Sequence, residues 1–419
     1  LFYTFAQIDV QIIHIFAQIN VQMEQLLIKS DTLVRRTPMA FRRHALPAIN
    51  WANRLTGIKG ARGTGKTTLL LQRLRELGLP ATQAAYFSLD DLFFTNHALA
   101  PTLEQFYRLG GRYAFLDEVH KYPGWAREIK NLYDFYPQLH IVFTGSSIID
   151  LAREETDLSR RALLHELAGL SYREFLVFNG YFQGPALSLA DILPPGAGWR
   201  DALPPDFRPL EQFRNYLAYG YYPFSREDRE GYHIRLQQLI RQVVEYDMAQ
   251  LQGFDPRNAR KLLQLLFILS ANVPYQPNLS KLAQEADIHR NSVLNYLLYL
   301  EQARLIRLIQ APGAGLGLLR KPEKVYLNNT NLAYALHPAD PNLGNLRETF
   351  FLSQVQPLHH VTAPPKGDFR LDERWTFEIG GPGKTATQLG AQPDAFVVRN
   401  ELEYAAGNVL PLWVFGMLY

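Results

Sequence analysis

The residues best suited to chemistry begin at 60 to 67, which read G-A-R-G-T-G-K-T. Gly60, Gly63 and Gly65 let backbone N–H groups turn inward around a phosphate chain, Lys66 reaches phosphate oxygens, and the Thr67 hydroxyl suits Mg²⁺. This fits the phosphate-loop pattern in full. The expected cofactor-binding set is Gly60, Gly63, Thr64, Gly65, Lys66, Thr67 and Thr68, and the expected ligands are ATP and Mg²⁺; the competing reading is a structural glycine loop. The stretch "RYAFLDEVH", 112 to 120, is a mostly apolar strand ending in Asp117 and Glu118. Two carboxylates at the end of a buried strand are costly unless a cation or water uses them. Asp117 is therefore expected to join Thr67 on the metal, and Glu118 to polarise an attacking water as general base. A surface acidic pair is the alternative.

These side chains need a scaffold. "RLTGIK" before the loop reads as a short strand, and "TTLLLQRLREL" after it reads as a helix with an apolar stripe at Leu70, Leu74 and Leu77. Strand, loop and helix in that order place the phosphates at a helix N-terminus. A third apolar strand, "LHIVFTGSS" (139 to 147), ends in hydroxyls. If it lies between the loop strand and the carboxylate strand, Thr144, Ser146 or Ser147 could sense a γ-phosphate; a plain polar turn competes. Ser146 is taken as the sensor. Arg160 and Arg161 offer positive charge for a transition state, in cis or across a subunit boundary, with solvated arginines as the other reading; Arg161 is the candidate carried forward. Asp90 and Asp91 end the strand "AAYFSL" and are expected to cap a helix.

Together "GARGTGKTTLL", "FLDEVHKYPGW", "FTGSS" and "LAGLSYREFL" resemble the AAA-type ATPases of bacteria and archaea that carry a C-terminal domain of unknown function. The resemblance runs over essentially all of residues 30 to 419. It implies an α/β P-loop core with a parallel sheet, then a helical lid, and an ATPase of unspecified substrate. The Gly-Arg usual before the last motif stands here as Ser159-Arg160-Arg161.

At 419 residues the chain exceeds what one core usually organises. A hydrophobic content of 47% with 20% charged residues describes a globular protein, and no run approaches a membrane span of ~20 apolar residues. With no cysteine, disulfide frameworks and thiolate metal sites are excluded, which suits a cytoplasmic protein. Residues 1 to 22 repeat "FAQIDVQ" as "FAQINVQ" and lack the positive start of a signal peptide. They are read as an upstream extension outside the fold, with Met23 as a natural start. The expected divisions are an ATPase core at 23–180, a Pro- and Gly-rich linker and helical lid at 181–255, a winged helix at 256–335 and a final α/β unit at 336–419.

The net charge of +3 is too small to mark a polyanion partner. Residues 256 to 330 nonetheless hold ten Lys and Arg against four Asp and Glu. Within them "LSKLAQEADIHRNSVLNYLLYLEQARLIRLI" reads helix, turn, helix, strand, with apolar stripes at Leu279, Leu282 and Ala283 and at Val293, Leu297 and Leu300. A winged helix would offer His289, Arg290, Asn291, Ser292 and Asn295 to a DNA major groove, and Arg320 and Lys321 to phosphates. Its other use is packing or dimerisation. The last 80 residues resemble a restriction-endonuclease-like domain, which implies a metal site from helix residue Glu348 and strand residues Asp368 and Glu378. That resemblance also implies a lysine two residues beyond the glutamate, where Gly380 stands. Lys384 would have to swing back from a loop, so a degenerate site is expected rather than an active nuclease. The sequence reading is thus a Mg²⁺-dependent ATPase acting as a molecular switch coupled to double-stranded DNA or a protein partner, with oligomers allowed; the alternatives are a non-enzymatic ATP-gated scaffold and an ATP-regulated, metal-dependent nuclease.

Overall fold

The computed structural model describes residues 21–146, 158, 160–194, 199, 203–250, 254–313, 321–337, 341, 343–385, 389 and 392–419. The chain forms two compact units, one of residues up to Gly60 with Lys66–Leu167, the other of Ala61–Gly65 with Ala168–Tyr419. The expected lid, winged-helix segment and final α/β segment fall within the second unit, and the first runs to Leu167.

In the first unit, α1 (21–36) is followed by β1 (Leu55–Gly60), α2 (Lys66–Leu77), β2 (Ala84–Ser88), α3 (Leu99–Arg108), β3 (Tyr113–Asp117), α4 (Trp125–Phe135), β4 (His140–Ser146) and β5 (Leu163–Glu166). The proposed boundary at residue 22 falls inside α1, whose Met23 and Leu26 are buried in the core, and Gln22 Oε1 lies 3.0 Å from His97 Nε2. Residues 1–20 lie outside the described residues. The five strands are all parallel in the order β2-β3-β4-β1-β5, so β4 lies between the loop strand and the carboxylate strand. Period-two alternation splits their side chains between two layers. Ala114, Leu116, Ile141 and Phe143 pack on one face, and Phe115 and Val142 meet Leu70 and Leu74 of α2 on the other. Gly57 is required in the middle of β1, because a Cβ there would come within 2.6 Å of the Phe143 ring and 2.5 Å of Leu164. Parallel pairing delivers every strand's C-terminal end to one edge, where Gly60 sits in register with Ser146.

The second unit begins with α5 (Tyr172–Phe178), whose Ser171 and Glu174 form a reciprocal cap. α6 (Phe213–Tyr219) and α7 (Tyr232–Gln242) follow, and α7 runs on into one π-helical turn, Val243–Asp247. The segment at 181–210, expected to cover the surface as a break, contributes to the core instead. Phe182, Leu187, Ile192 and Trp199 are buried, the Leu187 N–H donates to the Met417 carbonyl at 2.8 Å, and Trp199 meets Trp413 edge-on.

Next come α8 (Ala259–Ala271), α9 (Leu279–Glu285), α10 (Arg290–Gln302) and the antiparallel pair β6 (Ile306–Ile309) and β7 (Lys324–Leu327). Leu282, Ala283, Val293, Leu297 and Leu300 are buried as their spacing requires. Tyr275, before α9, bridges Val325 of β7 and closes the three helices onto the strand pair. After α11 (Thr330–Leu336) and α12 (Leu343–Val355) a mixed sheet forms from β8 (Val361–Thr362), β9 (Phe369–Leu371), β10 (Trp375–Gly380), β11 (Ala395–Arg399) and β12 (Val409–Pro411), ordered β12-β11-β10-β9-β8. Phe351 of α12 sets its ring 4.7 to 5.4 Å from those of Phe415, Phe377 and Phe369, so the apolar C-terminus completes this core. Among the described residues no helix is long and apolar enough to cross a membrane.

Candidate nucleotide site and a second polar cluster

At the strand-end edge of the first sheet, Asp117 closes β3 with 2% of its surface exposed. Three hydroxyls hold its carboxylate: Thr67 donates to Oδ2 at 2.6 Å, Tyr86 donates to Oδ2 at 2.8 Å, and Thr144 donates to Oδ1. Burial, with the Asp117 charge adding to it, pushes the Tyr86 phenol far above its ordinary range, so Tyr86 stays a donor. The backbone N–H of Glu118 donates to Thr144 Oγ1 at 3.1 Å, and Glu118 is left-handed at φ 55°, an uncommon conformation for a residue with a Cβ. That turn swings Glu118 out of the strand, where its carboxylate is about a quarter exposed and lies 3.3 Å from His120 Nε2.

Lys66 opens α2 and is buried, with its ammonium donating to the Gly60 carbonyl at 3.0 Å. Gly63 and Gly65 have φ of +83° and +91°, which only glycine adopts readily, and the Thr64 hydroxyl donates to the Ala61 carbonyl at 2.9 Å. Thr68 is exposed on α2. A hydroxyl and a hard carboxylate oxygen at 2.6 Å, beside a buried ammonium at a helix N-terminus, form a donor set that fits a divalent cation and a phosphate.

Ser146 lies beside Gly60 at the end of β4, whereas Ser147 lies outside the described residues. Thr144, another of the sensor candidates, is tied to both Asp117 and Glu118. Arg161 does not reach this site within its own chain. It precedes β5, at the opposite edge of the parallel sheet, and grips Asp134 through Nε at 2.9 Å and Nη2 at 3.0 Å. A parallel strand separates its two ends, so a residue just before one cannot reach the edge where its neighbours terminate. Asp91 caps the turn after β2, accepting from the Phe93 N–H at 2.9 Å, and pairs with Lys29 at 2.7 Å. Tyr86 was missed because a tyrosine inside an apolar strand carries no motif; it pairs with Phe115 and so lies diagonally from Asp117 on the same face, a signal that needs the sheet order and register.

Residues 52–176 match the family described as AAA domain, and residues 210–343 match a domain of unknown function, DUF8612. Over the AAA match the first unit has a five-stranded parallel sheet with helices and a phosphate-loop sequence, an ATPase-like fold. An uncharacterized protein of Methanocaldococcus jannaschii is 27% identical over 279 residues, which are 64% of this chain and 59% of that protein. Among solved structures, AMPPCP-bound DnaA from Aquifex aeolicus shares 16% identity at a TM-score of 0.30, covering 62% of this chain and 85% of its own. The S. cerevisiae Hsp104–ADP complex shares 15% at 0.31, covering 65% and 40%.

In the second unit, His289, Arg290, Asn291 and Asn295 are exposed along the start of α10, with Ser292 half-buried among them and His289 capping the helix. Lys321 is exposed before β7, while Arg320 lies outside the described residues. His359 pairs with Asp372 at 2.7 Å, a contact within the final sheet's turn region.

The final sheet gathers Glu348, Asp368 and Glu378, and Lys384 does swing back. Its aliphatic stem lies 2.5 Å from where a Gly380 Cβ would stand, so the glycine leaves the room through which the ammonium reaches Glu378 Oε1 at 2.5 Å. Lys324 pairs with Asp368 at 3.1 Å, and Tyr326 donates to Glu348 Oε2 at 2.6 Å. Both strand carboxylates are therefore occupied by lysines, and among the described residues no group of three or more His, Cys, Asp or Glu could hold a metal ion. Burial first, then the neighbouring Asp368 charge, raises Glu348 from about 4.5 to about 7. The folded protein thus keeps a proton that the unfolded chain releases near pH 4.5, and the stability this gives is present below that pH and lost as pH rises through 7. Melting measured from pH 4.5 to 8 should show this decline. Glu348→Gln should flatten it and melt higher than the parent at pH 8; an unchanged slope would remove Glu348 as its source.

Proposed function

We propose that the chain is a Mg²⁺-dependent ATPase working as a molecular switch coupled to double-stranded DNA. The observation that carries this is the buried Asp117 accepting a hydrogen bond from Thr67 while Glu118 turns outward beside it. Mg²⁺, when bound, would be held by Thr67 and Asp117 and would neutralise phosphate charge. Lys66 binds the phosphate oxygens, the Gly63 and Gly65 turns aim backbone N–H groups at them, and Glu118 orients a water and takes its proton. Lys66→Ala should lose tight ATP binding. Glu118→Gln should keep it while turnover falls about 10²- to 10⁴-fold. Wild-type turnover in Glu118→Gln would sink the base assignment, and tight binding with negligible turnover in the parent protein would favour a non-enzymatic, ATP-gated scaffold for a protein partner.

The DNA half of this reading is supported by three helices closed by a strand pair, the plan of a winged helix, with His289, Arg290, Asn291 and Asn295 exposed at the start of its third helix. Duplex DNA should raise ATP turnover at low salt, and counterion release should erase much of that between 50 and 200 mM, on the order of 10³-fold in affinity for about six phosphate contacts. Arg290→Ala with Asn291→Ala should weaken duplex binding in a gel-shift titration without changing basal turnover. Indifference to duplex at every salt concentration would leave the segment a packing or dimerisation module.

A second reading, ATP-regulated phosphodiester cleavage in the final sheet, is favoured by Lys384 alone, whose ammonium supplies beside Glu378 the charge that Gly380 lacks. A divalent cation would have to displace Lys324 and Lys384 from their carboxylates, so no cleavage step is assigned. Supercoiled plasmid should stay intact when incubated with protein and Mg²⁺ or Mn²⁺. Nicking that disappears in both Glu378→Gln and Lys384→Ala would establish cleavage instead.

A further inference from the structure

The five residues that would wrap the phosphates, Ala61–Gly65, pack with the second unit, although Gly60 and Lys66 on either side belong to the first. Within the second unit the contacts are specific. Arg62 Nη1 lies 3.3 Å from Asp247 Oδ1 and 3.4 Å from Oδ2, and Asp247 exposes only 2% of its side chain. With its carbonyl oxygen turned to the guanidinium, the Gln242 amide accepts from Arg62 Nη2 at 3.0 Å and from Nη1 at 3.3 Å. Gly63 leaves no room for a side chain, since a Cβ would stand 2.9 Å from the Phe224 ring and 3.4 Å from Leu239, and at Gly65 it would stand 3.8 Å from Pro223.

Gln242 ends α7 and Asp247 ends the π-helical turn that follows, so the two partners of Arg62 bracket the one π-helical turn among the described residues. A π turn widens the helix by one residue and often marks a functional position. Without the extra residue of the π turn, the bearing of Asp247 would shift by about one residue's step, roughly 100°. A charge as buried as Asp247 is costly unless it is paired, which keeps the helix and the loop together.

We propose that Arg62 and Asp247, with Gln242, are positioning residues that hold the phosphate loop in its binding shape from the second unit. The pair ties down a loop in which Gly63 and Gly65 are both left-handed. Preorganisation of this kind raises affinity by lowering the ordering cost of binding. It rests on the nucleotide reading for its consequence but not for its existence, because the clamp can be read without a ligand.

The test uses Asp247→Asn, Arg62→Gln and the double variant in the full chain. Asp247→Asn is the primary variant because it removes the buried charge itself, whereas Arg62→Gln removes a cation beside that charge and puts folding at risk. In nucleotide-free protein, amide hydrogen exchange of residues 61–65 should quicken about tenfold in Asp247→Asn, with exchange across the strands of the first sheet unchanged. ATP and ADP affinity, titrated by fluorescent analogues, should fall about tenfold in each single variant and no further in the double. Unchanged exchange in residues 61–65 overturns the clamp whether or not nucleotide binds. Faster exchange with unchanged nucleotide affinity also overturns the positioning role, provided the parent protein binds and Lys66→Ala does not. Failure of the parent to bind ATP would count against the nucleotide reading, while the exchange result would still decide the clamp.

Discussion

A carboxylate with 2% of its surface exposed is the constraint on which the first unit turns. Asp117 would be prohibitively costly among Phe115, Leu116 and the strands beside them if its oxygens were left bare. The fold answers with hydroxyls from three elements: Thr67 from the first turn of α2, Tyr86 from β2 and Thr144 from β4. Each donor reaches Asp117 only if β3 lies between β2 and β4 in parallel register, with α2 starting at the same edge. Sheet order, register and helix start are thus specified by one side chain's need for partners, and a slip of one residue in either neighbouring strand would turn its hydroxyl to the other face.

The same requirement explains why the site was partly legible in the sequence. Lys66, Thr67, Asp117 and Glu118 belong to short segments whose local order already dictates strand, loop and helix. Thr144 was one of three candidates at the end of its strand, because its partner lies on the neighbouring strand rather than in its own segment. Tyr86 had no local mark at all. Arg161 was hard to place for a related reason: its position in the chain, between β4 and β5, does not tell which edge of the sheet it occupies, and within the chain the geometry pairs it with Asp134.

In the second unit, legibility followed contact range even more closely. The stripes of α9 and α10 were plain, since an i, i+3, i+4 pattern is local. The packing that joins distant segments was not. Asn331 accepts from the Tyr221 N–H at 2.8 Å and the Tyr232 hydroxyl at 2.6 Å, and donates to the Leu217 carbonyl at 2.8 Å, tying the "YGYYPF" turn and α7 to α11. A buried amide that fills its hydrogen-bonding positions specifies one arrangement, yet an asparagine at a helix start reads in sequence as an ordinary cap. The Pro-rich segment misled in the opposite sense: its composition signals irregular backbone, which is true, but irregular backbone can still bury Trp199 and Phe182.

Lys384 shows how a motif can be absent in spacing and present in space. The expected lysine position holds a glycine, and by spacing alone that loss looks decisive. A glycine, however, also vacates the volume that a side chain would have filled, and the loop after β10 returns Lys384 through that opening to Glu378. The burial of Glu378 makes this contact consequential, because a carboxylate 3% exposed needs a counter-charge whatever else the cluster does. The glycine and the lysine are therefore one feature: a side chain at 380 would displace the lysine stem and strand a buried charge, so the change at either position is felt through the other.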